Sequence, residues 1–272
     1  SYTFSDSFWF SAVEGEVYAM SAMFTAVVFW AMLKWEHHAD ERHSDRWLIL
    51  IAYLMGLSIG VHLLNLLTIP ALAYIYYFKR YKVTTPGLIY TGIMGVAILA
   101  FVQYGIVAGF VKIGAYFDLF FVNTVGLPIW SGFLFFVAII VAAIYFGLKY
   151  TVAKNKPLLN TAILCFAFIV IGYSSYTQIV VRSMANPPMD ENNPENAFAL
   201  LSYINRDQYG DRPLFYGQYF NAKLVDQKDG DMTYGEKNGK YVESGNKIVP
   251  VYDPKASTIF PRMYSNQENH IS

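Results

Sequence analysis

The sequence from Trp47 to Phe78 reads WLILIAYLMGLSIGVHLLNLLTIPALAYIYYF. These 32 residues carry no formal charge, and His62 is the one histidine among them. A helix needs roughly 20 apolar residues to cross a bilayer core about 30 Å thick. The stretch is therefore too long for one membrane span and short for two full ones.

The basic residues decide between one span and two. Under the positive-inside rule, loops rich in Lys and Arg are cytoplasmic. Nine of the ten basic residues before position 182 fall on alternate predicted loops, which requires the stretch to turn back on itself. These nine are Lys34, Arg42, Arg46, Lys79, Arg80, Lys82, Lys149, Lys154 and Lys156, and the exception is Lys112.

The sequence therefore predicts an all-α polytopic membrane protein with about six transmembrane helices and both ends outside. Only 15% of its residues are charged, against about 25% in soluble domains. A net charge of +0 argues against a nucleic-acid partner. The predicted spans cover residues 17–33, 47–61, 63–78, 87–108, 129–148 and 157–179.

The composition changes after the last span. Residues 1–181 hold 18 charged residues and residues 182–272 hold 22, so the first part is predicted as a transmembrane domain and the second as a small extracytoplasmic α/β segment. In that segment we expect a helix over 194–206 and a hairpin that turns at Asn238-Gly239. No secretory leader is visible at Ser1, and we expect the chain to be an internal fragment of a longer protein.

Two smaller features complete the predicted membrane domain. Each arm of the hairpin is about 15 residues, or roughly 22 Å of helix, so its apex at residues 60–65 is expected below the outer surface. Residues 109–128 place phenylalanines beside Lys112 and Asp118, which predicts a helix lying in the membrane interface.

Glu14 and Glu16 are the first candidate site residues, just before the first span. Two carboxylates at a helix N-terminus suit the helix dipole. Alternatively, they face a cavity, where they hydrogen-bond a sugar or assist proton transfer.

Two further candidates lie near the outer ends of other predicted spans. His62 with Asn65 could hold a phosphate oxygen, or His62 could cap the hairpin through a backbone carbonyl. Arg182 could bind a lipid phosphate or anchor the chain at the interface.

Other clusters give no site. His37, His38 and His43 lie with three acidic residues in a loop without metal-ligand spacing, so a solvated loop is predicted and no metal site. The single cysteine, Cys165, lies in an apolar run, where packing is its expected role. No nucleotide or cofactor motif is present, and the sequence assigns no cofactor.

Three stretches carry a resemblance to a known family. They are SFWFSAVEGEVYAM at 7–20, RWLILIAYLMGLSIGVHLLN at 46–65, and Arg182-Ser183 through NPPMD at 186–190 with Pro194-Glu195-Asn196. This pattern resembles the integral-membrane family labelled domain of unknown function 2723, also classed as glycosyltransferase family 117. Its eukaryotic relative is transmembrane protein 260, an O-mannosyltransferase, and many of its bacterial members come from Bacteroidetes.

The resemblance implies a clan C glycosyltransferase in a bacterial inner membrane. Such enzymes take a sugar from a polyprenyl-phosphate donor on the extracytoplasmic, here periplasmic, side. Glu14, Glu16 and Tyr18 would then line the sugar or acceptor cavity, His62 and Asn65 would face the donor phosphate, and Arg182 is a weaker candidate. The clan's catalytic acidic residue belongs to a first outer loop that is expected upstream of Ser1, so no residue here is assigned as the general base.

The function predicted is transfer of a sugar, for which the resemblance implies mannose, to a protein hydroxyl or an envelope glycan. Its partners would be membrane lipid, the lipid-linked donor and the acceptor, with the need for a divalent metal left open. One alternative is a transporter or flippase of a lipid-linked saccharide, which predicts an inverted repeat and polar residues that continue to the cytoplasmic side. Another is a non-catalytic membrane scaffold that presents an outer domain.

Overall fold

The computed structural model describes residues 4–209, 213, 215–219 and 221–261. Most of this part of the chain is helical. The α-helices are α1 (Asp6–Val13), α2 (Val17–His38), α3 (Arg46–Ile59), α4 (Ile69–Arg80), α5 (Thr85–Ala100), α6 (Phe110–Phe120), α7 (Ser131–Ala153), α8 (Pro157–Tyr173), α9 (Thr177–Ser183) and α10 (Ala197–Asn205).

The C-terminal segment adds two antiparallel strand pairs. The short pair is β1 (Tyr216–Gln218) with β4 (Ser257–Ile259). The long pair is β2 (Leu224–Lys237) with β3 (Lys240–Tyr252). These strands are joined by Asn238 and Gly239, both at positive φ, which confirms the predicted hairpin turn.

Four helical segments are long and apolar enough to cross a membrane: Val17–His38, Thr85–Val125, Ser131–Ala153 and Pro157–Ser183. The six predicted spans are not confirmed, because the charge-free stretch forms shorter helices. Its first arm, α3, has 14 residues, or about 21 Å of helix. Its second arm is divided between a 3₁₀ helix, Leu63–Thr68, and α4, which has 12 residues.

The charge-free stretch nevertheless turns back on itself as the basic residues predict. The Arg80 guanidinium at the end of α4 donates to the carbonyl oxygen of Ala39 at 2.8 Å. Asp40 lies 3.4 Å from the ammonium of Lys79 and 3.5 Å from the guanidinium of Arg80. The start of α3 and the end of α4 therefore both lie beside the C-terminal end of α2.

A third loop joins this end of the bundle. The Thr161 hydroxyl, in the first turns of α8, donates to the Asp45 carboxylate at 2.6 Å. The nine basic residues, which lie on these loops or on the helix ends beside them, thus lie at one end of the bundle, called here the basic end. The opposite end, called the His62 end, contains the first turn of α2, the 3₁₀ helix that follows His62, and the Tyr173 hydroxyl bound to the Val107 carbonyl.

The segment predicted to lie in the membrane interface does not break away from the preceding span. Helices α5 and α6 form one continuous helix of 41 residues, Thr85–Val125. Two stretches of π-helix, Phe101–Gly109 and Phe121–Val125, lie within this helix. A π turn inserts a residue without ending the helix. The segment predicted to lie in the interface, residues 109–128, therefore continues the preceding helix as far as Val125.

Close glycine contacts join α3 to α8. A methyl group added at Gly56 would collide with the carbonyl oxygen of Ile169. One added at Gly172 would lie 2.6 Å from the backbone nitrogen of Leu57. Small residues at such positions let two helix backbones approach closely.

The predicted helix over 194–206 is shorter than expected, since α10 begins at Ala197. The Asn196 side-chain oxygen accepts from the backbone N–H groups of Phe198 and Ala199 at 3.1 and 3.0 Å. An asparagine cap of this kind fixes the first helical turn, so the helix starts after Asn196 and not at Pro194.

Candidate functional site

The acidic pair lies at the turn between α1 and α2. Glu14 ends α1, Gly15 takes the left-handed φ of +73°, and Glu16 precedes Val17 in extended backbone. Glycine suits this position because a side chain at such a φ is strained. Neither carboxylate hydrogen-bonds any described residue, and both residues are exposed beside the positive end of the α2 dipole.

Tyr18 and His62 come together at the same end of α2. Their ring centroids are 5.7 Å apart with planes tilted by 47°. Tyr18 lies in the first turn of α2, whereas His62 precedes the 3₁₀ helix. His62 therefore contacts the first turn of α2, the helix that begins directly after Glu16.

The hydrogen bond of His62 fixes which of its nitrogens is available. The ring Nδ1 accepts from the backbone N–H of Leu64 at 3.1 Å. A neutral imidazole that accepts at Nδ1 carries its proton on Nε2. His62 therefore caps the helix through an N–H group, not the carbonyl that one interpretation anticipated, and it retains one donor for an oxygen of a phosphate or a sugar.

Asn65 does not share this surface. It is 1% exposed, and its amide nitrogen donates to the Ser58 hydroxyl at 2.9 Å. Its side-chain oxygen accepts from the Thr25 hydroxyl at 3.0 Å. The amide of Asn65 is therefore engaged inside the bundle in this structure, and its role beside the donor phosphate stays a prediction.

Arg182 is exposed in the last turn of α9. It forms no ion pair with any residue that the structure describes, and no contact joins it to Glu14, Glu16 or His62. Its two interpretations, phosphate ligand and interface anchor, both stay open as predictions.

A polar cluster that the sequence did not predict as a site is built around Asp118, in the last turn of α6. The Asp118 carboxylate is fully buried and accepts from the backbone N–H groups of Trp130, Gly132 and Phe133 at 3.0, 2.9 and 3.4 Å. It also accepts from the Tyr241 hydroxyl at 2.7 Å. One carboxylate therefore caps the start of α7 and binds the β2–β3 hairpin.

Asn123 completes this attachment. Its amide nitrogen donates to the Tyr241 carbonyl at 2.7 Å, and its oxygen accepts from the Tyr241 N–H at 3.0 Å. We call Asp118, Asn123 and Tyr241 the clasp. A signal was present in the sequence, because Asp118 is the one acidic residue between Asp45 and Asp190, and a lone carboxylate in an apolar chain needs partners.

Metal ligation finds no support among the described residues, where no group of three or more His, Cys, Asp or Glu side chains could hold an ion. The histidine-rich loop is accounted for by local contacts instead. His38 Nδ1 lies 2.8 Å from the Glu41 carboxylate, and the His37 and His38 rings meet edge to face.

Two family models match parts of the chain. Residues 1–85 match the family described as Protein O-mannosyl-transferase TMEM260 N-terminal domain. Residues 210–272 match a family of unknown function, DUF8416. Comparison with curated proteins and with solved structures gave no match. The first match confirms the family resemblance over the segment that holds Glu14, Glu16, Tyr18, His62 and Asn65.

Proposed function

We propose that this protein is a membrane glycosyltransferase that moves a sugar from a polyprenyl-phosphate-linked donor to a protein hydroxyl or an envelope glycan. The observation that carries the proposal is the match of residues 1–85 to a family of protein O-mannosyl-transferases, and mannose is accordingly the first sugar to test. Four long apolar helices support an integral membrane location for the reaction.

The side of the membrane follows from charge. The nine basic residues lie at the basic end, and the positive-inside rule assigns an end rich in Lys and Arg to the cytoplasm. The His62 end is then extracytoplasmic, periplasmic in a bacterial inner membrane. We place the reaction there, since Glu14, Glu16 and His62 lie at that end.

The transfer forms a bond between the acceptor oxygen and the sugar's anomeric carbon and breaks the bond from that carbon to the phosphate oxygen. The acceptor hydroxyl loses its proton to a base, for which this chain supplies no assigned residue. The polyprenyl phosphate leaves as a stable anion and needs no acid. The Nε2–H of His62 would hydrogen-bond a phosphate oxygen, while Glu14 and Glu16 would bind hydroxyl groups of the sugar or acceptor.

The experiment measures transfer of labelled mannose from polyprenyl-phosphate mannose in membranes that contain the full-length protein. We expect at least a tenfold loss in the combined variant Glu14→Gln, Glu16→Gln and His62→Ala, because a hydrogen bond to a charged group contributes about 1.5–3 kcal/mol. Glu36→Gln with His37→Ala is the matched control, since both residues are exposed near the other end of α2.

The outcomes separate the candidate functions. Normal transfer by the combined variant would refute the assigned roles. A wild-type protein that moves a lipid-linked saccharide across vesicle membranes without transferring its sugar would be a transporter. A protein that does neither would be a scaffold.

A further inference from the structure

A cleft opens at the basic end of the bundle, opposite His62. Its volume is about 640 Å³, within the range of about 300–1,000 Å³ that is typical of small-ligand sites. Residues of the 39–46 loop, the end of α4 and residues 151–164 line it. We call this cavity the basic-end cleft.

Three cations line the basic-end cleft: Arg46, Arg80 and Lys156. Arg46 stacks on the Trp47 ring at 6.0 Å and forms no ion pair with the residues described in the structure. Lys156 donates to the Tyr150 hydroxyl at 3.2 Å, and no carboxylate among the described residues forms an ion pair with it.

Two carboxylates also line the cleft, and each already has a partner. Asp45 accepts from the Thr161 hydroxyl. Glu41 lies 2.8 Å from His38 Nδ1, and this hydrogen bond lowers the pKa of Glu41. The three lining cations exceed the two lining carboxylates by one charge, although Arg80 also lies 3.5 Å from Asp40. The N-terminus of α8, where no side chain caps the helix, adds positive potential.

The cleft is lined by apolar as well as charged side chains. Ile49 lies in the first turn of α3, and Leu164 lies seven residues into α8, about 10 Å from its start. A phospholipid likewise joins a charged phosphate to hydrocarbon. Anionic headgroups in the cytoplasmic leaflet attract basic groups at helix ends.

We propose that the basic-end cleft binds a phosphate-bearing anion, and that the headgroup of an anionic phospholipid supplies it. Arg46 and Lys156 contact the phosphate, and Ile49 and Leu164 contact the first carbons of the lipid. This site is independent of the sugar-transfer proposal, since it lies at the opposite end of α2 and α3.

The test measures the affinity of the purified full chain, in neutral detergent, for dioctanoyl-phosphatidylglycerol. Arg46→Gln with Lys156→Gln should weaken binding at least tenfold. Arg42→Gln with Lys154→Gln is the matched control, because it removes the same two charges from exposed residues of the same loops that do not line the cleft. We expect less than a twofold change in the control, and an unchanged thermal midpoint without lipid in both variants.

Two further probes identify the source of the phosphate. Dioctanoyl-phosphatidylcholine should bind at least tenfold more weakly than phosphatidylglycerol, and millimolar inorganic phosphate should not displace the lipid. Equal losses in both double variants, or equal affinity for the two lipids, would overturn the proposal. Binding of inorganic phosphate without binding of phosphatidylglycerol would overturn the lipid source and assign the cleft to a soluble phosphate compound.

Discussion

Removal of a single hydroxyl group tests whether the clasp holds the C-terminal hairpin on the helices. In Tyr241→Phe the ring is kept, including its edge-to-face contact with Phe198 at 5.2 Å. The two hydrogen bonds between Asn123 and the backbone of Tyr241 are kept as well. The change therefore removes the hydroxyl donated to Asp118 at 2.7 Å and the contact of that oxygen with the Ala197 backbone.

The free energy lost with this hydrogen bond depends on the negative charge of its acceptor, the Asp118 carboxylate. A hydrogen bond to a charged group contributes about 1.5–3 kcal/mol. Asp118 keeps three backbone donors in the variant, so no unpaired buried charge adds to the loss. Since 1.36 kcal/mol corresponds to a tenfold change, the equilibrium constant for release of the hairpin should rise about 10- to 150-fold.

Hydrogen–deuterium exchange in lipid nanodiscs measures this release directly. The backbone N–H of Tyr241 donates to Asn123, so it exchanges when the hairpin leaves the helices. Tyr234→Phe is the matched control, since its ring lies 4.8 Å from the same Phe198 and its hydroxyl bonds no described residue. Exchange in Tyr241→Phe within twofold of the control would show that the hydroxyl does not hold the hairpin.

Three other outcomes are expected. Asn65→Ala should lower the free energy of unfolding by about 1–3 kcal/mol, because it removes a buried hydrogen-bonded amide; a loss of activity at unchanged thermal midpoint would instead support a ligand role. Gly56→Ala, which collides with Ile169, should cost about 1–3 kcal/mol, whereas Gly147→Ala meets only a flexible side-chain end at 3.1 Å and should be near neutral in thermal unfolding. Burial, followed by the bond to the neighbouring carboxylate, raises the pKa of Tyr241 above its usual 10.0. The stability from its hydroxyl is therefore full below about pH 10 and declines above it, so the drop in thermal midpoint between pH 9 and pH 11 should be smaller in Tyr241→Phe.

Local patterns predicted the features that depend on local chemistry. Charge placement predicted the reversal of the Trp47–Phe78 stretch, which the contact between Arg80 and Ala39 confirms. The Asn238-Gly239 pair predicted its turn, since only a few residues tolerate the positive φ that such a turn needs.

Features that depend on distant partners or on helix irregularities were not predictable in the same way. Hydropathy counts apolar residues and cannot show where a helix ends inside an apolar run, so the second arm was expected as one helix over 63–78, whereas it is divided between a 3₁₀ helix and α4. A π stretch leaves no sequence period of its own, which hid the continuity of Thr85–Val125. The partner of Asp118 lies 123 residues away in Tyr241, beyond the reach of any local pattern.

The candidate site residues differ in how many of their polar atoms already have a hydrogen-bond partner, and this difference indicates which of them can bind a ligand. The side-chain oxygen and nitrogen of Asn65 are both engaged inside the bundle, which makes it a packing residue in this structure. His62 uses one ring nitrogen and keeps the other. Glu14 and Glu16 use none of their carboxylate oxygens on the residues described. Groups that the fold leaves without a hydrogen-bond partner can bind a ligand without first breaking a bond. Substitution of Glu14, Glu16 or His62 should therefore alter sugar transfer more than it alters stability.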